Sequence, residues 1–153
     1  MELIKRNTGY GLRALLHMAA EGDGQAFTAE ELAEAADTST DFMHKIMRSL
    51  RDAGIVSSKP GPSGGFQFQQ APAEVSVFEV VNAIQGPLTV NQCVIGLDVC
   101  PRSVACPLRP TWLKVQRDIE EGLSETTLSD IVDGAYQNEG DDNGKDEDCP
   151  QDR

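Results

Sequence analysis

Three cysteines crowd one short stretch of this 153-residue chain: Cys93, Cys100 and Cys106, with six and then five residues between them. Thiolates are soft ligands suited to iron–sulfur clusters or zinc, and they are also the reactive species of thiol redox switches. The surrounding stretch, residues 87–108, carries Pro87, Gly96, Pro101 and Pro107. It reads as a loop, and a loop can wrap a cluster where a helix would hold these spacings apart. Zinc sites favour pairs of cysteines two residues apart, a pattern absent here. The plain alternative is three buried or free thiols that cluster by chance. Cys149 lies in an acidic C-terminal stretch and reads as a bystander. His17 sits in an apolar helical segment and reads as a packed or capped histidine rather than a ligand.

The elements that must position these thiols are mostly helical. Residues 9–21 place Leu12, Leu15, Leu16 and Ala19 at helical spacing, and Gly22 and Gly24 close the segment. Thr28 and Glu31 have the capping-box form, which opens a short helix over about 29–35. The polar turn 37–40 leads to a third helix over about 40–53, with an apolar stripe of Phe42, Met43, Ile46, Met47 and Leu50. Gly54 ends it. Residues 55–58 and 66–69 read as two strands around the turn 60–65. Ser76 and Glu79 form a second capping box, opening a helix to about Gln85. Pro110 starts a longer helix, with Trp112, Val115, Ile119 and Leu123 spaced 3, 4 and 4. Residues 129–132 read as a last short helical turn. Beyond Tyr136 there is no apolar periodicity, and residues 137–153 are expected to be a disordered tail.

Two helices joined by a tight turn, preceded by a supporting helix and followed by a β-hairpin, have the order of a winged helix-turn-helix. In that arrangement the third helix enters the major groove and the hairpin touches backbone or minor groove. The residues placed to contact DNA are Ser39, Thr40, His44, Lys45 and Arg48, with Lys59 at the wing base. Gly64 and Gly65 shape the wing, a tight hairpin needing positive φ. Arg6 and Arg13 could add phosphate contacts. Taken singly, Lys45, Arg48 and Arg51 read equally well as a solvated helix face.

The net charge of −12 opposes phosphate binding. Its distribution softens this. Residues 137–153 hold seven acids against Lys145 and Arg153, a net of −5, while residues 1–70 hold nine acids and seven Lys or Arg, a net of −2. Local placement of cations decides DNA binding, not the total. The acidity predicts weak non-specific affinity. No apolar run approaches the ~18–20 residues of a membrane span, and residues 1–13 lack the form of a secretory signal. A cytoplasmic protein is expected, and there clustered cysteines favour metal or redox chemistry over structural disulfides.

Several segments in order resemble the Rrf-two family of bacterial regulators, the group that includes the IscR, NsrR and RirA types. They are residues 10–15 (YGLRAL), 50–56 (LRDAGIV), 61–66 (GPSGGF), 80–84 (VVNAI), the three cysteines, Trp112, and 127–132 (TLSDIV), together spanning about residues 1–136. The resemblance implies a fold that is mainly α with a small β-hairpin: a winged helix-turn-helix plus a long dimerisation helix, here about 110–122. It implies a DNA-binding domain at 1–72, a cluster-binding loop and dimerisation helix at 73–136, and the acidic tail at 137–153. It further implies a homodimer on double-stranded DNA at a palindromic operator. The function it implies is a transcriptional repressor that senses iron–sulfur status, nitric oxide or redox stress through a 2Fe-2S or 4Fe-4S cluster on Cys93, Cys100 and Cys106.

The departures concern the fourth ligand. Some relatives place a histidine three residues after the third cysteine, where this chain has Arg109. Others use an acid just before the first-helix aromatic, where this chain has Gly9. Candidates for the fourth position are Asp98, Glu2 or Asn7 from a partner subunit, Cys149, or a small exogenous molecule. Pro60 stands where relatives often have arginine, which implies a weaker wing contact. Two other readings keep part of this picture: a cluster-free thiol-based redox regulator of the same fold, and a metal-stapled protein-interaction module. No phosphate loop and no Ser/His/Asp set is present, so no enzyme is expected.

Overall fold

A computed structural model describes residues 3–22, 24–96, 100, 102 and 105–138. The first helix, α1 (Arg6–Glu21), begins three residues ahead of its apolar segment. Its N-cap, Lys5, has no side-chain cap of its own. The cap comes from 80 positions away: Gln85 Oε1 accepts from the Lys5 backbone N–H at 2.9 Å and from the Thr8 hydroxyl at 2.7 Å. No local pattern could reveal this.

Helix α2 (Ala29–Ala36) opens on the expected capping box of Thr28 and Glu31. The Glu31 carboxylate accepts from the Thr28 N–H at 2.7 Å and the Thr28 hydroxyl at 2.8 Å. Those two bonds, the backbone one foremost, hold the Glu31 carboxyl below its ordinary value of 4.5. The charged form is therefore favoured in the folded state. Its contribution is complete above that ordinary value and is lost as pH falls through the lowered folded one. Glu31→Gln should melt earlier than the parent near neutral pH, with the gap closing in acid. An equal gap at about pH 7 and about pH 3 would contradict this account.

Helix α3 (Thr40–Asp52) buries Met43, Ile46, Met47 and Leu50. It ends as the sequence predicts. Gly54 takes a left-handed φ of 76°, its N–H donates to Arg51 O, and Ile55 N–H donates to Leu50 O. The wing follows directly. Strand β1 (Val56–Lys59) pairs antiparallel with β2 (Gly65–Phe68), from Val56 opposite Phe68 to Lys59 opposite Gly65. Each strand differs by one residue from its expected bounds.

The expectation of positive φ at both Gly64 and Gly65 holds only for Gly65 (φ 152°); the left-handed turn residue is Gly61 (φ 105°). Gly64 is needed for space, since a Cβ there would strike the Lys59 carbonyl oxygen and lie 2.8 Å from Gly61 O. One further rung lies outside the β1–β2 ladder: Phe27 and Phe66 exchange backbone hydrogen bonds of 2.8 and 2.7 Å.

Helix α4 (Val77–Gln85) opens on the Ser76–Glu79 box, and Gly86 closes it. Helix α5 (Arg109–Glu125) is longer than expected, and α6 (Leu128–Asn138) is a full helix rather than a short turn. A third box, missed in the sequence, opens α6: Thr127 N–H donates to Asp130, whose own N–H donates back to the Thr127 hydroxyl. The T-x-x-D spelling of residues 127–130 carried that signal. Helix α6 reaches two residues into the expected tail; residues 139–153, Cys149 among them, lie outside the described residues.

The main core joins Leu15 and Met18 of α1, Leu32 of α2 and the buried face of α3 to Val75, Val80 and Leu128. It thus draws on both sides of residue 72. A second cluster packs Val77, Val81 and Leu88 against Ile119, Leu123 and Ile131. This layer seats α5 beneath α4. His17 packs edge-on against Phe27 at 5.6 Å, in line with a packed histidine.

Candidate nucleic-acid interface and cysteine loop

With its apolar stripe buried, α3 turns Asp41, His44, Lys45, Arg48 and Arg51 outward, and all five are exposed. Ser39 and Thr40 are exposed at its N-terminus, where the Ser39 hydroxyl accepts from Phe42 N–H as the helix cap. Arg51 pairs with Asp52 at 3.1 Å. Among the described residues Lys45 and Arg48 form no ion pair, and their spacing of three places them on one helix face. Arg13 donates to Ala36 O and lies over the Tyr10 ring at 5.9 Å, so it closes the C-terminal end of α2.

His44 meets the wing edge-on, its ring 6.2 Å from Phe66. Between them lies an open depression of about 430 Å³ lined by Thr28, Glu30, Thr40, His44, Ser58, Lys59 and Gly65, among others. The structure thus gathers Thr40, His44, Lys59 and Gly65 around one hollow. Ser39, Lys45 and Arg48 lie outside that lining, and Gly64 sits in the turn beyond. Thr28, Glu30 and Phe66 were missed by the sequence reading. Phe66 alternates correctly as a strand residue, but only the docked hairpin brings it onto His44.

The cysteines lie on the connector from α4 to α5. Cys93 sits in a short 3₁₀ turn, Gln92–Val94. Cys100 is a single described residue within the connector, and Cys106 lies three residues before α5. All three are half-buried. Ile95 and Leu108 on the same connector are exposed at 61% and 58%. Among the described residues, no three His, Cys, Asp or Glu side chains stand close enough to hold a metal ion together. Of the fourth-ligand candidates, Asp98, Glu2 and Cys149 lie outside the described residues, while Asn7 is half-buried in the first turn of α1.

Two polar features surround this loop. Arg109 Nε is buried with no hydrogen-bond partner among the described residues, and its backbone N–H donates to Cys106 O. A guanidinium whose Nε has no partner among the described residues, three positions after the third cysteine, suits an anionic group. Three soft thiols with such a neighbour fit an iron–sulfur cluster in chemistry, given closure of the loop around it. The second feature is Gln116 of α5, only 7% exposed. Its Oε1 accepts from Val90 N–H at 2.9 Å, and its Nε2 donates to Leu88 O and to Glu120, both at 2.7 Å.

Residues 4–134 match the model of a family described as Rrf2, iron-dependent transcriptional regulator. This chain belongs to the Rrf2 family. Rrf2 proteins are transcriptional regulators, which sets this chain apart from enzymes. A protein of Rhodobacter capsulatus named as an rrf2-like HTH-type transcriptional regulator is 33% identical over 138 residues, covering 85% of this chain and 92% of its own. Solved structures share the fold. CymR, the global cysteine regulator of B. subtilis, superposes with a TM-score of 0.72 at 22% identity, over 88% of this chain and 98% of its own. T. potens IscR gives 0.70 at 24% identity, over 88% and 89%. The winged-helix fold expected for an Rrf2 regulator is therefore the one present. Among the described residues no helix is long and apolar enough to cross a membrane.

Proposed function

We propose that this Rrf2 regulator binds a palindromic operator as a homodimer and represses from it, acting in the cytoplasm. Its signal enters through an iron–sulfur cluster, 2Fe-2S or 4Fe-4S, that Cys93, Cys100 and Cys106 would hold. The observation that carries this reading is the placement of three half-buried thiols on the one connector between the DNA-reading unit and α5. Val115 on α5 and Leu108 just before it are exposed, which leaves this helix apolar surface for a second copy. When bound, the cluster supplies iron that reacts with oxygen or nitric oxide. The protein would contribute the thiolates, the Arg109 side chain and the connector that joins the cysteines to α5. Half-sites on DNA are spaced near one helical turn, so a small shift between two recognition helices changes affinity.

Ser39, Thr40, His44, Lys45, Arg48 and Lys59 face the DNA on this reading, with Gly64 and Gly65 shaping the wing. Lys45 and Arg48 act mainly on phosphate. Arg48→Ala should weaken binding to operator and random duplex alike and reduce the slope of log affinity against log salt by about 1. A loss confined to one operator base pair would instead make Arg48 a base reader.

The test of the whole reading is anaerobic purification. Visible charge-transfer absorbance with stoichiometric iron and sulfide is expected, bleached by oxygen or nitric oxide together with a change in operator affinity. A colourless, iron-free anaerobic preparation with full operator affinity would overturn the cluster. Oxidant-dependent mass shifts at the same cysteines in such a preparation would mark a thiol switch instead.

A further inference from the structure

Two polar residues are buried among the described residues, Thr8 and Gln116. Both bind one short stretch of chain. Thr8 donates to Gln85, which also accepts from Lys5 N–H and donates to Leu3 O. Gln116 holds Leu88 O and Val90 N–H. The segment 85–90 is thus tied to the first turn of α1 at one end and to the middle of α5 at the other. Cys93 follows three residues later. A buried amide costs stability unless it is bonded, and here its partners are the backbone groups Leu88 O and Val90 N–H, which would each lose a bond beside an apolar side chain. What the amide adds is a fixed position for the backbone that leads into the cysteines.

The other side of α4 packs closely on the DNA-reading unit. A Cβ on Gly11 of α1 would strike Ile84 Cδ1 of α4 and lie 3.0 Å from Ile46 Cγ2 of α3. Ile84, Gly11 and Ile46 therefore stack across three helices at one point. Closely packed elements shift together rather than deform.

We infer that Gln116 is a positioning residue for regulation: it fixes residues 88–90 to α5, so that a change at the cysteines moves α4 and, through Gly11, α3. This rests on the reading of the cysteine loop as the sensor. With Gln116 removed, residues 88–90 keep only the packing of Leu88, and the loop's state no longer reaches the recognition helix.

The experiment uses full-length apo protein in a Cys149→Ser background and a duplex selected from a random-sequence pool by the parent. Operator affinity is measured before and after alkylation of the loop thiols with N-ethylmaleimide. The parent should change by about tenfold or more, within the usual range of allosteric coupling. In Gln116→Met the ratio should fall to within about twofold while unmodified binding persists. Gln116→Glu, which keeps the acceptor for Val90 N–H but loses the donor to Leu88 O, should lie between them. It also serves if the methionine variant does not fold. Lys114→Ala, on an exposed ion pair of the same helix, should leave the ratio intact. A merely structural role would lower the melting temperature without altering the ratio. A parent that responds while both Gln116 variants respond equally overturns the inference alone. A parent that does not respond overturns the inference, since a change at the thiols then does not reach the recognition helix; the sensor reading is decided separately by the anaerobic preparation.

Discussion

Gly65→Ala should lower the melting temperature by roughly 6–12 °C and, on the proposed function, remove operator binding. A Cβ at this position would strike the Phe27 carbonyl oxygen and lie 3.0 Å from Thr28 N. These are backbone atoms of the rung that docks the wing against the start of α2, so no rotamer change relieves the contact. The φ of 152° adds to the strain. Overpacking against backbone with an unfavourable φ costs about 2–4 kcal/mol. Prying Phe27 from Phe66 also moves Phe66 away from His44, and the hollow between α3 and the wing loses its wall. Gly61→Ala provides the contrast. Gly61 has a left-handed φ but open space around it, so only the conformational cost of about 1 kcal/mol applies. Differential scanning calorimetry on the pair reads the difference. Equal shifts for both variants would show that the Phe27 contact does not hold the wing.

On the proposed reading, Cys93→Ala or Cys106→Ala should abolish the visible absorbance altogether and leave operator affinity indifferent to oxygen and nitric oxide. The change is all-or-none because three protein thiolates are already one short of the usual four ligands of an iron–sulfur cluster. A further loss leaves too few to retain it. Both thiols are half-buried, so the apo protein should keep its stability to within about 1 kcal/mol. That separates loss of ligation from loss of fold. Cys149→Ala should keep both colour and response. Anaerobic absorbance, iron content and operator titration on the same preparations provide the check. Colour that survives Cys93→Ala would remove Cys93 from the ligand set.

The readable parts of this fold were those settled within a few residues. Thr28 with Glu31, Ser76 with Glu79, and Gly54 after Leu50 each satisfy their own helix end, so spelling alone locates them. Helix α1 starts ahead of its own apolar pattern because its first turn is held by Gln85, a residue of another helix. The stripe Trp112, Val115, Ile119 and Leu123 correctly marks a long helix, yet its inward face includes Gln116 while Val115 is exposed. An amide reads as surface unless its partners, here the backbone of Leu88 and Val90, are known. The solvent-facing side chains of α3 follow from its periodicity, because burying Met43, Ile46, Met47 and Leu50 forces Lys45 and Arg48 outward. The company of His44 did not follow, since Phe66 arrives there only through the wing's register and its rung with Phe27. For the cysteines, residue type and loop context pointed to soft-metal chemistry. Their mutual distances depend on how a proline-rich connector closes, which no local pattern encodes.

The antiparallel bridge between Ser76 and Thr127 sets the starts of α4 and α6 side by side, and Leu128 N–H bonds back to Val75 O. Leu128 is fully buried in the core that supports α3. During synthesis it is the last of those core residues to leave the ribosome. A nascent chain that stops short of it carries a leucine-sized hole beneath α3, a deficit of about 2–5 kcal/mol. By the time Leu128 closes that hole, Cys93, Cys100 and Cys106 have already been translated. The order of the chain therefore ensures that a finished DNA reader always comes with its cysteine loop attached.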